Sequence, residues 1–237
     1  MLEVNDIRVH IGPLYILQGV SIKLRKGETF FIIGRNGAGK STLLKTLIGF
    51  IKPSSGSIVF EGKGITYEPP YVRAKLGIRY VPDNKRLFTS LSVEENLLAP
   101  LLAEGLSKDK AMDRIEYVYN IFPDLKKLRK LKASQLSGGQ QQMLNLARAI
   151  VSPNLKLLLA DEPVEGLSPV FVSKILNAFS ELANEGVTMI IVETMPVIMK
   201  ELSGRCAILN AGRVVFESST EELLRNEIVM KTYFGLA

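Results

Sequence analysis

The chain is 237 residues long, 46% hydrophobic and 23% charged, a balance that supports a sizeable core and excludes a disordered polymer. That length predicts one large α/β domain, or such a domain with a subdomain inserted into it. One cysteine, Cys206, and one histidine, His10, exclude a disulfide framework and a Cys/His metal site, and predict a reducing cytoplasmic setting.

The formal charge is +6. Its basic residues are dispersed apart from Lys126, Lys127, Arg129, Lys130 and Lys132, a pattern that reads as a solvated helix face rather than a nucleic-acid footprint. No run of about eighteen apolar residues is present, so no membrane span is predicted. Met1 to Asp6 lacks the basic and apolar regions of a secretory signal. A membrane role would have to come through partner chains.

Leu2 to Val9 and Val20 to Leu24 alternate apolar and polar residues, as half-buried strands do. Thr29 to Ile33 is a wholly apolar run ending at Gly34, the pattern of a strand covered on both faces. Helical spacing begins at Ser41 and runs to Ile48, with Gly49 suited to its C-terminal end. Gly56 to Phe60 and Gly77 to Val81 read as short strands.

From about residue 90 to 151 strand-like runs vanish, and helices are predicted at Val93 to Glu104, Lys108 to Ile121 and Gln140 to Ile150. Ser92 and Glu95 form a capping box for the first, and Pro123 ends the second. This block is the expected insertion, dividing an α/β core into 1–89 and 152–237. The α/β texture then returns with an apolar strand at Leu155 to Ala160, a helix at Pro169 to Asn184 and a strand at Thr188 to Val192.

Gly34-Arg35-Asn36-Gly37-Ala38-Gly39-Lys40-Ser41 matches G-x-x-x-x-G-K-[ST], and lies between a buried strand and a helix as that motif requires. Its glycines let main-chain N–H groups turn inward onto phosphate oxygens, and the helix that follows adds its positive dipole end. Lys40 is the expected partner of the β and γ phosphates, and the Ser41 hydroxyl a Mg²⁺ ligand. Leu157 to Ala160 end in Asp161 and Glu162, which read as a Mg²⁺ partner and a general base for the attacking water. Leu136-Ser137-Gly138-Gly139-Gln140 opens a helix with two glycines, a second anion-binding N-terminus.

In this order the three motifs resemble those of the ABC transporter ATPases, and the resemblance covers essentially the whole chain. Gly34 to Ser41 is similar to Walker A, Leu136 to Gln140 to the signature motif, and Leu157 to Glu162 to Walker B. The branched-chain amino-acid permease type is the nearer likeness, through Tyr80-Val81-Pro82, Leu87-Phe88, Val93 to Leu97, Gln140 to Leu144, Glu165 to Pro169, Val192-Glu193 and the ending Val229 to Gly235.

The resemblance implies a RecA-like P-loop NTPase core with an inserted α-helical subdomain and an N-terminal antiparallel β subdomain. It implies ATP and Mg²⁺ as ligands, held by Asn36, Gly37, Ala38, Gly39, Lys40, Ser41 and Thr42. It further implies a head-to-tail dimer with a second ATPase subunit, paralogue or self. In that dimer Ser137, Gly138, Gly139 and Gln140 would act on the partner's nucleotide. The helical block would dock on integral-membrane permease subunits, at the cytoplasmic face of the membrane. Import of branched-chain amino acids or a related amide is the leading function; lipid or lipopolysaccharide export, a non-transport ABC ATPase and a regulatory non-hydrolysing subunit are the alternatives.

Three positions depart from the general family pattern. Asp83 stands where a glutamine is usual, and reads as a further Mg²⁺ ligand. Thr194 stands where a histidine is usual, and its hydroxyl would reach the γ-phosphate or the attacking water. Ile11 stands where an aromatic stacks on adenine; Tyr15, four residues on, is either its replacement or a core residue.

Overall fold

The computed structural model describes residues 1–235, with Val197 described by its main chain alone. The chain opens as a hairpin, β1 (Leu2–Ile11) and β2 (Leu14–Leu24), turning at Gly12 and Pro13. Both strands run further toward the turn than alternation predicts. Leu14 and Tyr15 are exposed apolar residues, so the period-two signal fades where the hairpin projects from the core. β4 (Ser55–Phe60) and the two-residue β5 (Lys63–Gly64) complete a four-stranded antiparallel sheet in the order β2-β1-β4-β5.

Between β2 and β4 the chain enters a second sheet. β3 (Thr29–Ile33) is buried along its whole length and leads into α1 (Lys40–Ile48). After α2 (Pro70–Lys75) and β6 (Ile78–Val81) come four α-helices without an intervening strand. They are α3 (Val93–Ala103), α4 (Lys108–Ile121), α5 (Pro123–Lys127) and α6 (Gly138–Ile150). The Ser92–Glu95 capping box is present in both directions. α6 starts two residues before the predicted helix, because Ser137 caps it reciprocally with Gln140 and so carries both glycines into the first turn.

β7 (Leu157–Asp161), α7 (Pro169–Asn184) and β8 (Thr188–Glu193) return the chain to the second sheet. β9 (Arg205–Asn210), β10 (Arg213–Ser219), α8 (Thr220–Arg225) and α9 (Glu227–Phe234) close the described chain. The second sheet has the order β10-β9-β3-β8-β7-β6; its strands are parallel except β10, which pairs antiparallel with β9.

One apolar core lies between this sheet and the helical block, and another between the two sheets around α1. β3, β8 and β7 are neighbours whose C-terminal ends share one edge, where ligands of open α/β sheets bind. Arg73 secures α1 from behind. Its buried guanidinium donates to the carbonyls of Thr46 and Leu47 at the helix end, and to those of Thr66 and Glu68. Burial lowers its pKa to about 10, with the Glu68 carboxylate opposing that shift.

Candidate active site

The turn from β3 to α1 contains Gly37 at φ 82° and Gly39 at φ 104°, left-handed conformations that favour glycine. Gly39 is the N-cap of α1, so the first amides of the helix face the space above the sheet edge. That space is a cavity of about 370 Å³ lined by Asn36, Gly37, Gly39, Lys40, Ser41 and Thr42, with Ile16, Glu162 and Glu165 completing it.

Lys40 is 4% exposed, and its ammonium is fully engaged. It donates to Gly34 O at 2.8 Å and Arg35 O at 3.3 Å, and pairs with Glu162 Oε1 at 3.2 Å. Ser41 Oγ donates to Asp161 Oδ1 at 2.9 Å, while the Tyr80 hydroxyl donates to Asp161 Oδ2 at 2.9 Å. Burial raises the Asp161 carboxyl above its ordinary pKa, although both hydrogen bonds pull the other way. Burial raises the Tyr80 phenol as well, reinforced by the Asp161 charge.

Glu162 follows β7 directly and has φ 48°, a left-handed conformation uncommon for glutamate. Burial pushes its carboxyl up, but hydrogen bonds with Glu165 and Lys40, the Lys40 charge and the Thr194 hydroxyl together hold it below the ordinary value. Its neighbour Glu165 moves the opposite way, raised by its hydrogen bond and repulsion with Glu162. Thr194 lies just past β8 and donates to Glu162 Oε1 at 3.1 Å, with Asn36 Oδ1 at 3.4 Å as a second neighbour. Lys40, Ser41, Asp161, Glu162 and Thr194 are thus brought together at one edge. Ala38 is buried inside the loop.

Other expected residues lie elsewhere. Tyr15 is outside the cavity lining: its ring stacks on His10 at 4.4 Å with planes 4° apart, and its hydroxyl accepts from Arg8 at 2.8 Å. Ile16 is the hairpin residue that reaches the cavity. Asp83 is exposed on the loop after β6, where its carboxylate accepts from the Asn84 amide at 2.8 Å; its charge nonetheless acts on Asp161 and Glu165. Ser137, Gly138, Gly139 and Gln140 are not among the residues lining the cavity of their own chain. A Cβ at Gly139 would fall 2.3 Å from the Phe171 ring of α7, so helix packing requires glycine there.

Four residues with a bearing on the site carried no predicted role: Ile16, Tyr80, Glu165 and Gln142, whose buried amide donates to Pro163 O at 3.0 Å. Tyr80, Glu165 and Gln142 stood inside recognisable motifs. Which way their side chains face depends on tertiary packing.

A cavity of about 370 Å³ over a glycine-lined helix start, with an ammonium and a carboxylate converging on it, is a geometry suited to a polyphosphate. The sequence profile of the ABC transporter family matches residues 17–165, well over half of the chain. The chain belongs to the ABC transporter family. It is an ATP-binding, ATP-hydrolysing subunit of that family, with a P-loop α/β fold.

Among relatives of this ABC cassette is the high-affinity branched-chain amino acid transport ATP-binding protein BraG of Pseudomonas aeruginosa. It is 38% identical, over 99% of this chain and 100% of BraG. The probable branched-chain amino acid transport ATP-binding protein LivF of Archaeoglobus fulgidus is 36% identical, over 100% and 99% of the two chains. Among solved structures, the ADP conformation of an ATP-binding cassette of an ABC transporter superposes with a TM-score of 0.82 at 29% identity. That match covers 99% of this chain and 98% of the other. A dimeric bacterial ABC transporter cassette gives 0.83 at 26% identity, over 93% and 99%. No described helix is long and apolar enough to cross a membrane.

Proposed function

We propose that this cassette energises import of branched-chain amino acids or a related amide through membrane permease subunits, at the cytoplasmic face. The observation that carries the catalytic half of this reading is the Lys40–Glu162 pair at 3.2 Å inside the cavity. The likeness to BraG and LivF, each along nearly its whole length, carries the substrate half. Lipopolysaccharide export takes second place: the LptB relative from Haemophilus influenzae is 29% identical, over 93% of this chain.

In this reading the amides of Asn36 to Thr42 and the Lys40 ammonium grip the β and γ phosphates. Glu162 is the general base for the attacking water, and Thr194 orients Glu162. The residues present fit Mg²⁺: the Ser41 hydroxyl and the Asp161 carboxylate already share a hydrogen bond, so two hard oxygen donors stand side by side. Bound there, Mg²⁺ would neutralise charge on the phosphate oxygens. Asp83, on the exposed loop, would act on that charge from a greater distance.

Because the signature residues 137–140 do not line the cavity of their own chain, a head-to-tail dimer is the arrangement in which they would meet a nucleotide. The adenine would lie against Ile16, beyond which His10 and Tyr15 stack on one another. Permease contact is assigned to a groove between the α/β core and α6, where Phe50, Tyr71, Arg86 and Arg148 meet. Phe50 and Tyr71 are largely exposed there, and exposed aromatic surface beside a groove suits a docked helix.

The test is uptake by vesicles that carry the chain together with permeases encoded beside it. ATP-dependent accumulation of labelled leucine or isoleucine, abolished by Glu162→Gln, is expected. ATP-dependent movement of lipid instead, or no coupling to any permease, contradicts the import reading.

A further inference from the structure

β8 ends at Glu193, a carboxyl that the chemistry above does not use and that is only 6% exposed. Its Oε1 accepts a hydrogen bond from the Val164 amide at 3.4 Å. Val164 belongs to the turn after β7 that carries Glu162 and Glu165. The same turn is tied twice more. The Glu162 amide donates to Val192 O at 3.0 Å, and Pro163 O accepts from Gln142 at 3.0 Å. Since Glu162 is held at a positive φ that a glutamate does not choose unaided, these ties impose its conformation. One residue beyond Glu193 in the chain, Thr194 bonds the Glu162 carboxylate itself. Glu193 therefore stands at a junction: its main chain continues into Thr194, and its side chain reaches the turn that presents the base.

We propose that Glu193 is a positioning residue for hydrolysis, one that holds the Glu162–Glu165 turn in register with Thr194 so that Glu162 points into the phosphate cavity. The proposal rests on the reading of Glu162 as the base. A charged carboxylate would be a poor occupant of this place. The titratable groups that act on Glu193 are the carboxylates of Glu162 and Glu165, with the Lys40 ammonium paired to Glu162, and its register partner on β3 is the uncharged Ile33. Burial first, and repulsion from Glu162 and Glu165 with it, raises the Glu193 pKa to about 8 against the pull of the Val164 and Thr194 amides. At neutral pH the group is a neutral acid, and it anchors the turn without adding charge where a polyphosphate must bind. Its ionisation adds a third carboxylate beside Glu162 and Glu165 and disfavours both the turn and the nucleotide transition state.

The test is steady-state Mg²⁺-ATP hydrolysis by the full chain, with kcat and KM measured from about pH 6 to about pH 9.5. Wild type is expected to lose kcat about tenfold per pH unit above the titration of this one group. Glu193→Gln, a neutral isostere, should hold kcat within about twofold at neutral pH and lack that alkaline limb. Glu193→Ala, which leaves the Val164 amide unpaired, should lower kcat about tenfold with KM within about twofold, since the turn and not the phosphate grip is loosened. A wild type without an alkaline limb, a Gln variant that retains the limb or is inactive at neutral pH, or an Ala variant with wild-type kcat overturns the proposal. Glu162→Gln, assayed alongside, separates the two readings. If it turns over normally, the base assignment is wrong; if it is dead while both Glu193 variants behave as wild type, only the role of Glu193 is wrong.

Discussion

Lys40 Nζ lies 3.2 Å from Glu162 Oε1, so the ammonium of the glycine-rich loop and the carboxylate that follows β7 are engaged with each other. In the proposed reading an incoming polyphosphate would compete with Glu162 for the ammonium and would free the carboxylate to act on a water. Binding and activation would then be one exchange of partners within a single cavity.

Lys40→Ala should weaken ATP binding on the order of a hundredfold, because a charge-assisted contact to phosphate is lost inside a largely buried site. It should also raise the Glu162 pKa, since the Lys40 hydrogen bond and charge that hold it down are gone. Equilibrium binding of a fluorescent ATP analogue checks the first effect. Affinity within about threefold of wild type would remove Lys40 from the grip.

Thr194→Val should shift the acid limb of the kcat profile to higher pH. The Thr194 hydroxyl donates to the charged form of Glu162 and so lowers its pKa; without it the carboxyl protonates earlier as pH falls. The shift should be below about one unit, with kcat at neutral pH reduced about threefold or less. An unmoved acid limb would mean that the hydroxyl does not act on the base.

Much of this arrangement is legible before folding. The runs Thr29–Ile33 and Leu155–Ala160 announce apolar strands, the second of which forms over Leu157–Asp161, and the glycines, Lys40 and Ser41 after a strand announce a phosphate loop. The partnerships were not legible. Nothing in the spacing says that Lys40 would pair with Glu162, that Tyr80 would bond Asp161, or that Arg73 would secure the end of α1; each joins residues far apart in the chain. Tyr15, either an adenine platform or a core residue by sequence, lies outside the cavity lining for a local reason. In the hairpin register it stands opposite His10, the residue on which its ring stacks, so Ile16 is the one that lines the cavity.

Gly139→Ala should destabilise the chain by about 1–3 kcal/mol, because the new methyl meets the body of the Phe171 ring rather than a flexible tip. The double variant with Phe171→Ala should recover part of that loss relative to Phe171→Ala alone. Urea unfolding of the four species closes the cycle. Strict additivity would show that the two residues do not meet.

Arg73→Met should cost about 3 kcal/mol, since it removes the donors to four carbonyls, of which those of Thr46 and Leu47 are reached inside the core. Denaturant midpoints measure it. A loss below about 0.5 kcal/mol would mean that water satisfies those carbonyls equally well.

Glu193 makes a separate prediction about stability. Its folded pKa of about 8 exceeds the ordinary 4.5, so between those values the unfolded chain has released a proton that the folded chain still holds. Stability therefore falls as pH rises through that window and levels off above it. Glu193→Gln should match wild type in melting temperature near the lower bound and exceed it increasingly toward the upper bound. Parallel melting curves across the window would contradict the buried, neutral carboxyl.

The most direct measurement is single-turnover release of phosphate from Mg²⁺-ATP, with nucleotide occupancy determined on the same samples, for wild type and Glu162→Gln. The variant is expected to bind ATP at least as tightly as wild type, because Lys40 no longer has a carboxylate to leave, and to release phosphate slower by on the order of a hundredfold or more. Release within a few-fold of wild type at equal occupancy would contradict the assignment of Glu162 and, with it, the account of how this cassette cleaves ATP.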